Sequence, residues 1–304
     1  MSTAVPAVVL AALAFACLGP VSTRLAQAEW PSLAPRAAVV VWQVLGIVGG
    51  LSIIGAGAAV GVSRFDAGLL GGASELFGKV VDGHPLAGMG MADALGLTLA
   101  CDIAVVMACT AAVTTWRTVQ ARARHRRLVD LVSTDTERAP GVALLDHPRA
   151  AAYCVPGLRP RIVVSAGTLR LLDRQQLAAV LEHERGHAHE HHGLVMLPFT
   201  SFGALLRWIP YARVAPRAVA VLLEMAADDY AARQHDPVDL ASALVEMTGA
   251  ATPPACAFAA ATGDVAARVA RLLGPRRTSP AVALAAVVGS ALLVAVPVAL
   301  ALAA

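Results

Sequence analysis

Residues 173–187 read DRQQLAAVLEHERGH. Asp173 has the character of a helix N-cap, and Leu177, Val180 and Leu181 follow at helical spacing, so the pattern predicts one amphipathic helix. His183 and His187 stand four residues apart and share a face of that helix, where their ring nitrogens can be aimed at a single ion. Glu184 flanks the same face, within reach of a water that the ion would activate. Zinc brings the pKa of such a water towards neutrality, and a glutamate so placed accepts its proton as it attacks a peptide carbonyl. A chain of this composition is expected to show this pentapeptide pattern by chance on the order of 0.01 times.

A catalytic zinc commonly takes three protein ligands and leaves one position open, so a third ligand must come from elsewhere. His191 continues the series but lies about 12 Å along the helix axis from His183, too far for one ion. The metzincin pattern fails as well, because Glu190 and Gly193 stand where it needs glycine and histidine. A second helix is therefore required, and residues 224–230, EMAADDY, supply one at the end of the apolar run Val219, Val221, Leu222, Leu223. Glu224 and Asp228 are one turn apart, so one can bind the metal while the other accepts an N–H bond from a ligating histidine and fixes its tautomer. Asp229 points round the helix and is the poorer partner. His189, His191 and His192 read as the polar end of the metal helix.

Upstream, Tyr153-Cys154-Val155 and Arg161-Ile162-Val163-Val164-Ser165 are β-prone runs joined by the turn signal Pro156-Gly157. The region from about Arg117 to Ser279 thus reads as mixed α+β.

The composition places this region beside a membrane. Of 304 residues 57% are hydrophobic and only 15% charged, with a mean hydropathy of +0.65, whereas an average soluble domain is about 25% charged. A solvated disordered coil is excluded by the same numbers. The excess sits in four blocks, Ala4 to Leu18, Ala37 to Val62, about Ala94 to Thr115, and Ala281 to Ala304, each a candidate for a bilayer span. Ala26-Gln27-Ala28 resembles a signal cleavage site, but no Lys or Arg precedes the first block, so it reads as a transmembrane helix. A further apolar block, Leu194 to Ile209, reaches only about 24 Å and carries Pro198; crossing would put Glu224 opposite His183, so it is expected to stay on one side.

Arg117, Arg122, Arg124, Arg126 and Arg127 follow the third span, and Arg276 and Arg277 precede the last. By the positive-inside rule both ends of the polar domain are cytoplasmic, with the N- and C-termini outside. The arginine run reads as a flank against anionic headgroups, and with no aromatic platform beside it no direct nucleic acid binding is expected. Five scattered cysteines carry no paired spacing and imply no disulfide framework. Asp102, inside the third span, is an intramembrane carboxylate with no assigned role.

His183-Glu184-x-x-His187 followed by Glu224-x-x-x-Asp228, behind three spans and before a fourth, resembles the BlaR/MecR-type family of membrane zinc metallopeptidases, gluzincin-like proteases with the HExxH motif. The 153–165 segment resembles the strand pair that precedes the metal helix there. The resemblance implies His183, His187 and Glu224 as ligands of one Zn2+ per chain, Glu184 as general base, Asp228 as the acid behind a ligating histidine, and an edge strand that binds substrate by β-addition. It implies a protein substrate, a transcriptional repressor or the chain itself, in a signalling pathway. The extracellular sensor domain of the family's antibiotic receptors is expected to be lacking, and residues 1–304 contain no Ser-x-x-Lys motif. His192 stands where many members carry Asp and where the related HtpX/CAAX-type peptidases, with quality-control or processing roles, often carry His.

The expected architecture is a membrane α-helical bundle of four transmembrane helices with an inserted α+β zincin-like cytoplasmic metallopeptidase domain. Residues 1–116 hold three spans, 117–279 the peptidase domain and 280–304 the fourth span. A non-enzymatic membrane metal-handling protein is the rival from another class, with Asp93 and Asp102 as the carboxylates its spans would offer. Tyr211, Tyr230 and His235 are the candidate oxyanion donors.

Overall fold

A computed structural model of the chain describes residues 4–65, 68–84, 88–134, 141–157, 160–203, 206–250, 255–275 and 279–302. Arg276 and Arg277, which bear on the expected orientation, lie outside them. The chain divides into two compact units, residues 1–113, 199–218 and 279–304 in the first and residues 114–198 and 219–278 in the second.

The first unit opens with α1 (Ala4–Ala16), a π-helical turn Cys17–Val21, and α2 (Ser22–Gln27). Pro20 sits in that turn; it has no N–H to give to the ladder, and the wider turn carries the helix past it. The first apolar helix therefore runs from Val5 to Gln27, longer than the apolar block alone. A 3-10 turn, Trp30–Leu33, leads into α3 (Pro35–Gly61), then α4 (Gly68–Val81) and α5 (Met91–Val132), whose residues from 114 on belong to the second unit. Among the described residues, four helices are long and apolar enough to cross a membrane: Val5–Gln27, α3, α5, and a C-terminal helix over Pro280–Ala301.

Small residues let these helices approach, as in membrane packing. A Cβ on Gly57 would fall 2.9 Å from the Gly96 carbonyl and 3.1 Å from Ala100, so the end of α3 lies directly on the start of α5. Leu18 packs at Gly49 and Leu10 at Gly55, which makes α1 antiparallel to α3. At the start of α5, Asp93 accepts from Ser63 Oγ at 3.0 Å and from Gly90 N–H at 2.7 Å, and pairs with Arg64 at 2.6 Å.

The second unit carries a four-stranded sheet of β1 (Ser133–Thr134), β2 (Ala143–Leu145), β3 (Ala152–Val155) and β4 (Arg161–Ser165) in the order β1-β2-β4-β3. β3 and β4 are antiparallel with Tyr153 opposite Val163, as the turn signal predicts, and β2 runs parallel to β4. β3 is an edge strand. After α6 (Ala166–Leu171) comes the metal-motif helix α7 (Arg174–His189). Asp173 and Gln176 close a reciprocal capping box at its start, which satisfies two otherwise unpaired donors.

Strand alternation fixes both faces of the sheet. Val164 faces a core with Leu177, Val180 and Leu181 of α7, while its neighbour Val163 faces the other way onto Val129 of α5. The metal helix is thus seated on the sheet by its apolar stripe.

Beyond α7 the block 194–209 does not form one long helix. It breaks into α8 (His192–Val195) and α9 (Leu197–Gly203), and α10 follows (Pro210–Ala231). Residues 199–218 gather with the first unit, where Tyr211 Oη donates to the Trp42 carbonyl at 2.9 Å. The second unit is completed by α11 (Pro237–Ala250) and α12 (Ala255–Leu273), and α13 (Pro280–Leu302) is the last apolar helix. Ser279 N–H reaches the Leu33 carbonyl at 3.4 Å, so α13 begins beside the beginning of α3.

Candidate metal centre

Two helices build the site. α7 presents His183, Glu184 and His187, and the second half of α10 presents Glu224 and Asp228 against them. Close approach of the two helices depends on Gly186, where a Cβ would lie 3.0 Å from Tyr230 Cβ. A side chain there would push the two ligand-bearing helices apart.

His183 Nε2 and His187 Nε2 face each other at 3.1 Å. Glu224 Oε2 lies 3.4 Å from the first, and Glu224 Oε1 lies 3.4 Å from the second. The three residues offer ligand atoms that all lie within 4.8 Å of one another. A tetrahedral zinc with bonds of about 2.0–2.1 Å separates its ligand atoms by about 3.3–3.4 Å, and the donors are two imidazoles and a carboxylate. Spacing and chemistry therefore both fit a zinc ion.

Each histidine is held through its second nitrogen. His183 Nδ1 lies 3.0 Å from Asp228 Oδ1, an ion-pair contact set off the line of a well-aligned hydrogen bond. His187 Nδ1 lies 2.8 Å from His192 Nδ1, and His192 Nε2 lies 3.3 Å from Glu190 Oε2. With His187 Nδ1–H donating to His192 and His192 Nε2–H donating to Glu190, the chain is satisfied and His187 Nε2 is left as a lone pair. His192 is buried, contrary to its expected place at a polar helix end. The cause is local: His191 takes a left-handed conformation with φ 53°, which ends α7 and turns His192 back beneath His187.

A residue absent from the sequence reading completes the site. Arg268 of α12, only 7% exposed, forks onto Asp228 through Nε at 2.8 Å and Nη2 at 2.7 Å, and its Nη1 reaches Glu224 Oε2 at 2.9 Å. Its signal was present in the sequence as an arginine placed between Val265, Val269 and Leu272 at helical spacing, on the face that should be apolar. One turn on, Arg271 pairs with Asp229 at 2.8 Å, which accounts for the carboxylate that points round the helix.

These charges set the protonation of the site. Burial opposes a charged His183, but Asp228 and Glu224 overcome it and raise its pKa to about 9. Burial brings His187 down to about 4, helped by the neighbouring His183 charge. Glu224 and Asp228 are each held at about 2 although burial pulls the other way, Glu224 chiefly by His183 and Arg268, Asp228 chiefly by Arg268. Glu184 is pushed above the usual carboxylate range by burial, while the Cys154 backbone N–H donates to it and moderates the shift.

The cluster opens into a cleft of about 470 Å³, lined by the β3 residues Ala152, Tyr153 and Cys154 on one side and by the motif residues on the other. The candidate oxyanion donors are not part of its lining. Tyr211 belongs to the first unit, the Tyr230 ring lies against His189 with centroids 5.4 Å apart, and His235 follows the end of α10.

The fold and site define a helix pair beside an edge strand whose facing side chains could hold a metal ion, and comparison with known proteins points to the same class. The sequence profile of Peptidase family M48, a zinc metallopeptidase family, matches residues 115–258, a little under half of the chain. The matched stretch includes His183, Glu184, His187, Glu224 and Asp228 and stops short of Arg268. It implies a metallopeptidase domain in this part of the chain and does not single out the BlaR/MecR type. No curated protein and no solved structure matches the chain.

Proposed function

We propose that this chain is an integral-membrane zinc endopeptidase that hydrolyses peptide bonds of a cytosolic or membrane-proximal protein. The observation that carries the reading is the convergence of His183, His187 and Glu224 at ligand spacing, with Glu184 beside them in a cleft, inside the stretch matched by a metallopeptidase family. His183, His187 and Glu224 hold the ion. Zinc, when bound, makes a water acidic near neutral pH and polarises the scissile carbonyl.

Glu184 then does the proton work. Its carboxylate is oriented by the Cys154 N–H, accepts a proton from the attacking water at one oxygen and returns it to the leaving amine. Asp228, with Arg268 behind it, holds the His183 ring, and His192 holds the His187 ring, so neither ligand must reorganise. The edge strand β3 lines the cleft and can take an extended substrate segment by strand addition.

The membrane reading rests on the four apolar helices. Antiparallel packing of α1 on α3 and of α3 on α5, together with α13 starting beside α3, supports an alternating bundle. Residues 117–279 then enter and leave from the side that carries Arg24, Arg36 and the Arg117–Arg127 run, which the positive-inside rule assigns to the cytoplasm. The metal-handling alternative loses a ligand, because Asp93 is engaged by Arg64, Ser63 and Gly90.

Repressor cleavage is one role such an enzyme fits. The buried His192, at the position where HtpX/CAAX-type peptidases often carry His, favours a quality-control or processing role as the second reading. Purified full chain in detergent, assayed for proteolysis of fluorescent casein, should lose about 10²–10⁴-fold on Glu184→Gln while keeping its zinc. Undiminished cleavage by that variant removes the proposed base.

A further inference from the structure

Asp102 lies nine residues after Asp93 and fifteen before Arg117 in α5, about 14 Å and about 22 Å along the axis. In a helix that crosses a hydrocarbon core of about 30 Å, that is close to the middle. Its side chain is exposed, and among the described residues it has no hydrogen-bond or ion-pair partner. The packing of α5 explains why. The helix meets α3 through Gly96, Leu97, Ala100 and Met107. At about 100° per residue, Asp102 falls about 200° round from Ala100, on the opposite side. Thr98, Val105, Cys109 and Trp116 share that outward side and are exposed with it.

We propose that the outward face of α5 is a docking surface for a transmembrane helix of another protein, one that brings a lysine or arginine to the depth of Asp102. The inference is independent of the peptidase chemistry and rests on the reading of α5 as a membrane span. A carboxylate left facing acyl chains disfavours insertion on the order of a hundredfold, and intramembrane carboxylates are characteristically paired or turned inward. Charge complementarity selects the occupant. Residues 4–23, 37–61, 94–115 and 280–302 contain no Lys, Arg or His, so a second copy of this chain brings no cation to that depth. It would bring a second Asp102 instead.

The test uses the full chain reconstituted in phosphatidylcholine vesicles, with fluorescent single-span Leu/Ala peptides that carry either one central Lys or Leu at the same place. Energy transfer from labelled chain to peptide is measured for wild type, Asp102→Asn and Asp102→Leu, each first shown to keep wild-type zinc content. The proposal predicts about tenfold tighter association of the Lys peptide than of the Leu peptide with wild type, falling to the Leu-peptide level in both variants. Equal association of the two peptides with wild type, or a Lys preference that survives both substitutions, overturns it. So does an Asp102-dependent dimer of the wild-type chain without a Lys preference, which would make a second copy the occupant. Loss of the chain from carbonate-washed vesicles would overturn the span reading itself, and is told apart by that fractionation step.

Discussion

Arg268 Nη1 stands 2.9 Å from Glu224 Oε2 while the rest of the same guanidinium forks onto Asp228, so one buried cation touches both the carboxylate nearest the two histidines and the carboxylate behind His183. The cluster is thereby held in place by α12, a helix that contributes nothing to the metal motif itself.

Removing that cation strips the guanidinium fork from Asp228, which is 1% exposed, and leaves it only the His183 ring as a charged neighbour. Breaking one partner of a buried pair costs about 3–5 kcal/mol. Arg268→Ala should therefore lower the stability of the metal-free second unit by that order, measured by pulse proteolysis in urea. A change within about 0.5 kcal/mol, the usual effect of a surface substitution, would show that the pair is not what holds the helices together.

His192 should matter to metal affinity and not to global stability alone. Loss of the group that orients a ligating histidine typically weakens metal binding about 10–100-fold. His192→Ala is expected to show that loss in a chelator competition assay, with His192→Asn recovering part of it. Unchanged affinity in the alanine variant would leave the His187–His192 contact without a role.

Cys154 gives a pH prediction for the metal-free protein. Burial, and then the nearby Glu184 charge, push its thiol up to about 11, against about 8.5 for a free cysteine. Alkylation requires the thiolate, which a raised pKa makes scarce below that value. Its rate with iodoacetamide, followed at this residue by peptide mass spectrometry, should stay low at pH 7 and climb about tenfold per pH unit beyond pH 9. A plateau already reached by pH 9 would contradict the buried environment.

Much of this architecture is legible in the sequence because it rests on local periodicity. Asp173, Leu177, Val180 and Leu181 announce α7, Pro156-Gly157 announces the β3–β4 pair, and the apolar runs announce the long helices. Other parts were not legible, for identifiable reasons. α5 continues as helix to Val132, well past Thr115, because its arginine-rich stretch is helical without an apolar period until Val129 is buried. β1 and β2 are two and three residues long, too short for an alternation to register. His192 is brought under His187 by one left-handed residue, a turn that spacing cannot show. Glu224 could be selected over other carboxylates only by assuming that two helices meet, and the 3.4 Å distances meet that condition. Arg268 arrives from a third helix, and only its misfit on an apolar face hinted at a buried partner.

Topology can be checked with single cysteines added to a chain whose native cysteines are replaced. Asp82→Cys, in the turn after α4, should react with a membrane-impermeant maleimide on intact cells. Gln175→Cys, on the first turn of α7, should react only after permeabilisation. The reverse pattern would place the peptidase domain outside.

The central claim is tested most directly by zinc K-edge X-ray absorption on the purified, zinc-loaded chain. The account predicts one zinc with only nitrogen and oxygen neighbours at about 2.0–2.1 Å, two of them imidazoles, one imidazole fewer in His187→Ala, and a weakened or emptied site in Glu224→Gln. A sulfur neighbour at about 2.3 Å, or a first shell unchanged by both substitutions, would contradict it.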